Sequence, residues 1–417
     1  MDSADVKRLF KGVALIVDDK VSDSDSSIAQ IMKNFENENI PLIKYDILPR
    51  LDIISHLQNI SFVLFDWQLQ TMELGVSTPG ELQNSNDDDN LNFLEKLIQN
   101  CFCPIFIFSD LPEEDIKEKL KGRELYNDSR MNMFFIKQKN DIKDANKLFD
   151  EMGKWIETNS SMYLLKEWDN AYQKAKSELF VDFQNVSSTW ANLLWKNFKD
   201  DDEDFSTPAS ISFELFDVLM KNITNRINVP KLNESILGIK ATNEKEFASI
   251  IEKTKFIDNS LLNKDSPNTG DIFFCKDEKA YFINIRPQCD ILRVENPELY
   301  CLRGIELNLT PAKKHSYKDN NTAKPYDFYK GEFIEQKNNC IVSFVCNEKI
   351  LEFRFKDLEI LHWNEIKDKR VGKLLPPFIT HIRQKYATYI EREGLPRIPD
   401  ELLEKYNNSP SQQDNTR

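Results

Sequence analysis

Between Val13 and about Asn159, short apolar runs alternate with amphipathic stretches along the chain. The runs are VALIVDD (13–19), IKYDIL (43–48), FVLFD (62–66), PIFIFSD (104–110) and MFFIK (133–137). Their β-branched and aromatic residues, bounded by polar ones, predict buried strands. Between them, 26–38, 49–59, 90–100, 111–125 and 144–158 predict helices; Ile28, Ile31, Met32 and Phe35 recur at three and four, as one buried helix face requires. Strand–helix alternation of this kind predicts an α/β domain with right-handed crossovers and a parallel sheet covered on both faces.

The period changes near residue 160. Leu165, Trp168, Tyr172, Ala175 and Leu179 follow helical spacing, as do Trp190, Leu194 and Phe198, and the stretch 212–227 resumes it after the acidic run at 200–204. Residues 160–229 therefore read as a helical connector. After Pro230 the pattern predicts a β-rich α+β domain over 230–406. One hairpin spans 270–293 and turns at Lys276-Asp277-Glu278-Lys279; a second spans 338–361 and turns near Asn347-Glu348-Lys349. A closing helix is expected over 373–394, opened by Pro376-Pro377 and capped by Gly394. The polar tail 407–417 is expected to be disordered.

At 417 residues the chain is long enough for two or three cores. The formal charge of -14 opposes general attraction to nucleic acid or anionic lipid. No apolar run reaches the length of a membrane span, and the N-terminus lacks a secretory pattern. The 7 Cys are scattered without zinc-site spacing, so a cytoplasmic protein with reduced thiols is expected.

Polar residues at strand ends are the ones to read, because ligands of open parallel sheets sit outside the carboxyl ends of the strands. The first strand ends in Asp18-Asp19, the third in Asp66, the fourth in Ser109 and the fifth in Lys137. Three carboxylates around one hollow are costly unless a divalent cation neutralises them, and oxygen ligands suit magnesium. Asp66 is then placed to attack a phosphoryl group in line, with the Lys137 ammonium and Ser109 hydroxyl taking its oxygens.

This set of residues, in this order on a fivefold strand–helix pattern, resembles the receiver domain of two-component response regulators over about residues 11–158. The resemblance implies a flavodoxin-like, five-stranded, parallel doubly wound domain, assigned here to residues 1–159. It implies Asp66 as phosphoacceptor, Asp18, Asp19 and Asp66 itself as acidic metal-site residues with the Gln68 backbone carbonyl as a further ligand of Mg2+, Ser109 as switch hydroxyl and Lys137 as phosphate-contacting lysine. It also implies a sensor histidine kinase as partner and a homodimer through this domain. The only chemistry expected is magnesium-dependent phosphorylation from a donor and slow autodephosphorylation. Gln138 follows Lys137 where family members commonly carry Pro, and residues 71–90 lengthen a loop that is normally short. That insertion is expected either to cover the site as a lid, dock a partner or slow water attack, or to be a tolerated surface insertion. Phe134 and Phe135, near the family's aromatic switch position, read equally well as core.

The remaining signals are weaker. His56, His315, His362 and His381 accompany no kinase-like glycine pattern, and no P-loop, GxGxxG or GxSxG occurs. Cys289-Asp290, after Arg286-Pro287-Gln288, reads as a structural Cys beside a turn Asp more readily than as a small enzyme site. Lys367, Lys369, Arg370 and Lys373 read as a solvated basic face. Without a basic recognition helix, regulated protein–protein interaction or phosphate storage is the expected output. The receiver, the helical connector and the β-rich domain ending in LLPPFITHIRQKYATYIEREGLPRIP also resemble receiver proteins of bacterial antiphage systems of the Detocs type. There a histidine kinase passes phosphate to an effector protein, and a stand-alone receiver protein intercepts it. The alternative is a phosphorylation-independent scaffold carrying a degenerate receiver.

Overall fold

The computed structural model of the chain describes residues 3–57, 59–69, 79–127, 130–200, 208–238, 244–306, 334–336, 339–344 and 349–391. It falls into two compact units, residues 1–190 with 218–240, and residues 191–217 with 241–417. The stretch expected as a connector is helical at Ser160–Val186, Trp190–Asp200 and Pro208–Arg226, and its residues are shared between the units.

In the first unit the five expected strands form β1 (Val13–Val17), β2 (Leu42–Tyr45), β3 (Ile60–Phe65), β4 (Ile105–Ser109) and β5 (Phe134–Gln138). They lie in the order β2-β1-β3-β4-β5, all parallel, which is the doubly wound, flavodoxin-like order. Strands β1, β3 and β4 are buried almost throughout because helices cover both sheet faces. On the edge, β2 keeps Ile43 and Lys44 exposed.

Phe62 and Phe65 on β3 show how the two faces are used. Three positions apart, they point to opposite sides of the sheet. Phe62 meets Phe10 edge-on and Phe35 of α2 (Ser27–Asn37), whereas Phe65 stacks on Phe93 of α3 (Pro79–Asn100) at 5.8 Å. On the Phe62 side Phe35 also packs on Phe149 of α6 (Ala145–Glu157). Helix α4 (Glu113–Gly122) contacts β5, and a short α5 (Lys139–Ile142) follows that strand directly. Ser26 and Asp144 cap α2 and α6 by accepting from Ala29 and Lys147 amides.

Some elements depart from the expectation. The short α1 (Ser3–Leu9) has too few turns to announce itself, yet it buries Val6 and Leu9, with Phe10 beside them. Residues 49–59 give only a 3-10 turn at Leu51–His56, which buries Ile54 and leaves Leu51 exposed. The long α7 (Ser160–Val186) is bound to α1 by the Arg8 guanidinium, which donates twice to the buried Glu167 carboxylate.

The second unit holds an eight-stranded sheet, order β10-β11-β12-β9-β8-β7-β13-β6, in which every pair is antiparallel. Its strands are β6 (Phe256–Asp258), β7 (Asp271–Cys275), β8 (Ala280–Asn284), β9 (Glu298–Glu306), β10 (Ile334–Gln336), β11 (Asn339–Phe344), β12 (Lys349–His362) and β13 (Arg370–Leu374). The first expected hairpin is β7–β8. The second is β11–β12, whose tip at 345–348 lies outside the described residues. One sheet face carries Ile272, Ile283, Leu302, Phe353 and Leu374 and is covered by Ile379 and Ile382 of the helix Phe378–Glu391. The other carries Phe273, Phe282 and Cys301, covered by Ile291, Trp363 and Ile366.

That closing helix begins after the Pro pair as expected, but Lys373 and Leu374 belong to β13. The expected Gly394 cap and the tail lie outside the described residues. The basic set 367–373 is not one solvated face. Arg370 is buried, donating to Asn259, to the Ser266 and Asn263 carbonyls and to Asp271. Lys367 and Lys369 lie in a 3-10 turn ahead of the strand, whereas Arg370 opens β13 beside a bulge against β7, and Lys373 donates to Asn268 Oδ1.

Candidate functional site

The carboxyl ends of β1 and β3 bring Asp18, Asp19 and Asp66 together. One carboxylate oxygen from each lies within 4.8 Å of the others. Adjacent parallel strands in register do this necessarily: Val17 pairs with Phe65, so the residues that follow both strands meet at one edge. Asp18 and Asp66 are buried. Backbone amides orient both, since Lys20 donates to Asp18 Oδ1 at 2.9 Å and Gln68 donates to Asp66 Oδ1 at 3.1 Å. Asp19 Oδ1 is buried with no hydrogen-bond partner among the described residues.

The lysine at this site is Lys139, not Lys137. Lys139 Nζ donates to Asp18 Oδ2 at 2.6 Å and to Asp66 Oδ2 at 2.7 Å, and is itself buried. Lys137 instead lies 3.1 Å from Glu113 on α4 and 3.7 Å from Glu151 on α6. The cause is the length of β5. Its ladder runs through Phe108↔Lys137 to Ser109↔Gln138, so Lys137 is still inside the sheet, while Lys139 is the first residue past it. There the chain turns into α5 and carries the ammonium over the strand ends. The run Lys137-Gln138-Lys139 offers two lysines after the apolar stretch, and only the second clears the ladder.

The electrostatics follow from three clustered carboxylates and one ammonium, which pairs with Asp18 and Asp66. Burial pushes Asp66 above the usual carboxylate range, Lys139 pulls it back and Asp18 pushes it further up. Burial lowers Lys139, but the charges of Asp66 and Asp18 outweigh it, and the ammonium ends above the ordinary lysine value. The cluster keeps an excess of negative charge, hard oxygen donors and one unpartnered carboxylate oxygen. This donor set fits a divalent cation of the magnesium type.

Ser109, the last residue of β4, is fully buried, and its Oγ accepts from the Leu111 amide at 3.3 Å. A cavity of about 290 Å³ beside the cluster is lined by Lys20, Asp23, Asp25, Ser26, Asp110 and Lys139 among others. Residues 70–78 of the insertion lie outside the described residues, and from Pro79 the chain is already α3. The expected long loop is thus helical over its second half. From that helix Asp87 accepts from the Trp67 indole and Asn90 donates to the Trp67 carbonyl, a hold that the sequence did not suggest.

In the second unit Cys289 donates to Asp290 Oδ1 at 3.4 Å, and burial followed by Asp290 pushes the thiol pKa up. This keeps Cys289 protonated, the opposite of an activated nucleophile. No helix among the described residues is long and apolar enough to cross a membrane. No known family model matches the chain, and a search of curated proteins returns no significant match.

Proposed function

We propose that the protein is a two-component receiver protein that accepts a phosphoryl group from a sensor histidine kinase on Asp66. The observation that supports this best is the placement of Asp66 at the end of the central strand β3, beside Asp18 and Asp19 and 2.7 Å from the Lys139 ammonium. Asp66 is the nucleophile. Its carboxylate oxygen forms the new P–O bond while the bond from phosphorus to the donor breaks, and the donor leaves with that electron pair. Asp18, Asp19, Asp66 and the Gln68 carbonyl would hold Mg2+, which when bound supplies neutralisation of phosphoryl oxygen charge. Lys139 takes the role first expected of Lys137: its ammonium, already against Asp66, pairs with a phosphoryl oxygen. Ser109 offers its hydroxyl to another.

The consequence is a change in protein–protein contacts or storage of phosphate, with an effector protein of the same system as the competing acceptor and antiphage defence as the setting. The test is labelling of the full chain by a small phosphodonor such as acetyl phosphate in magnesium. The wild type takes up one phosphoryl group and Asp66→Asn none; an unlabelled wild type would sink the proposal. A second reading, a scaffold that never turns over phosphate, draws on the fact that Lys139 already satisfies Asp18 and Asp66. It requires partner affinity to be equal for wild type and Asp66→Asn.

A further inference from the structure

The residue after the proposed phosphoacceptor is held in an unusual way. Trp67 is only 2% exposed. Its indole Nε1–H donates to Asp87 Oδ1 at 2.6 Å, and its carbonyl accepts from Asn90 Nδ2 at 2.7 Å. Both partners lie one turn apart on α3, so one helix grips both the side chain and the backbone of Trp67. The other carboxylate oxygen of Asp87 accepts from Lys119 Nζ of α4 at 2.6 Å, and that ammonium lies 5.9 Å from the Trp67 ring centre. A half-buried carboxylate therefore joins three elements: the chain leaving β3, α3 and α4.

Trp67 sits directly between Asp66 and Gln68. With its carbonyl taken by Asn90 and its ring fixed by Asp87, the peptide units that follow Asp66 have little freedom. The Gln68 amide is then held where it donates to Asp66 Oδ1, and the Gln68 carbonyl has a fixed direction. A hard cation that keeps near-ideal geometry tolerates little movement of a backbone ligand.

We propose that Asp87 is a positioning residue for the cation site: acting through Trp67 it sets the segment 66–68, and Lys119 fixes the Asp87 carboxylate in that role. This rests on the reading of Asp18, Asp19, Asp66 and the Gln68 carbonyl as a magnesium site. Outer partners that orient metal ligands commonly carry an order of magnitude in affinity.

The experiment is a calorimetric magnesium titration of the full chain, without phosphodonor, for the wild type, Asp87→Ala, Trp67→Phe, the double variant Trp67→Phe/Asp87→Ala and the swap Asp87→Lys/Lys119→Asp. Asp87→Ala is expected to weaken magnesium by about tenfold. The double variant should be no weaker than Trp67→Phe alone, because both changes break one link. The swap keeps an ion pair between α3 and α4 but gives the indole no acceptor, so it should stay as weak as Asp87→Ala. Magnesium affinity at the wild-type level in Asp87→Ala overturns the proposal, and so does full recovery in the swap, which would reduce Asp87 to a helix–helix tie. A wild type that binds no magnesium removes the cation site itself and the proposal with it. Urea unfolding in EDTA confirms that each variant is folded before it is titrated.

Discussion

The Lys139 ammonium, donating at 2.6 and 2.7 Å to Asp18 and Asp66, acts as an internal counter-ion for a pocket that holds two more negative charges than positive ones. Removing it strands two buried carboxylates, which costs about 3–5 kcal/mol by analogy with other broken buried pairs. Lys139→Ala should therefore lower the urea midpoint and abolish labelling together. Lys137→Ala breaks only partly exposed pairs with Glu113 and Glu151, so stability should change by less than about 1 kcal/mol and labelling should persist. Equal loss of labelling in the two variants would contradict the assignment. Asp19 behaves in the opposite sense, because its Oδ1 is buried without a partner among the described residues. Asp19→Asn should weaken magnesium binding yet raise metal-free stability by roughly 0.5–1 kcal/mol, measured by urea unfolding in EDTA. The three aspartates were legible because each closes an apolar run, and parallel register brings such ends together. Lys139 and Asp87 were not. One depends on where a strand stops, to within two residues, and the other on a helix that begins inside what reads as a polar loop.

Among the elements, the strands of the first unit announced themselves best, whereas β6, β9, β10 and β13 of the second were not expected. All five strands of the first unit and both hairpins of the second follow runs visible in the chain. Helices were legible where apolar positions recur. They were not where the element is one or two turns long, as in α1, or where its first half is polar, as in α3. The helix Phe378–Glu391 shows what periodicity contributes to packing. Ile379 and Ile382 seat on Ile272, Leu302, Phe353 and Leu374 of the sheet beneath, and Ile382 is fully buried. Ile382→Ala should lower stability by about 2–4 kcal/mol, from lost burial and the cavity left behind. A change below about 1 kcal/mol by urea unfolding would mean that the helix is not seated on the sheet as described.

At the scale of the whole molecule, the two units carry their strongest electrostatic strain in different places. In the second unit Asp271 is fully buried, its Oδ1 lacks a hydrogen-bond partner among the described residues and Arg370 donates to its other oxygen, at 3.2 Å. Burial pushes its pKa up to about 6 from the ordinary 3.8, with Arg370 opposing. Between those pH values the folded protein binds a proton that the unfolded chain does not, so this group's contribution to stability falls as pH rises. Relative to Asp271→Asn, the wild type should gain up to about 3 kcal/mol between pH 7 and pH 4, read from urea midpoints across that range. A difference that stays flat with pH would mean that the carboxyl titrates normally.

The position of β13 sets the order in which the chain can finish folding. This strand lies between β7 and β6, pairing Arg370 with Phe273 and Leu374 with Phe256. The strands on either side are synthesised early in the second unit, and the piece that joins them is made last. During translation β7 and β8 can zip as a hairpin, but β6 stays detached from the sheet until residue 374 has left the ribosome. Closing such distant pairings is slow, because the loop entropy is lost before the contacts form. In the interval β7 exposes an unpaired flank, the kind of open edge on which strands of other chains can add.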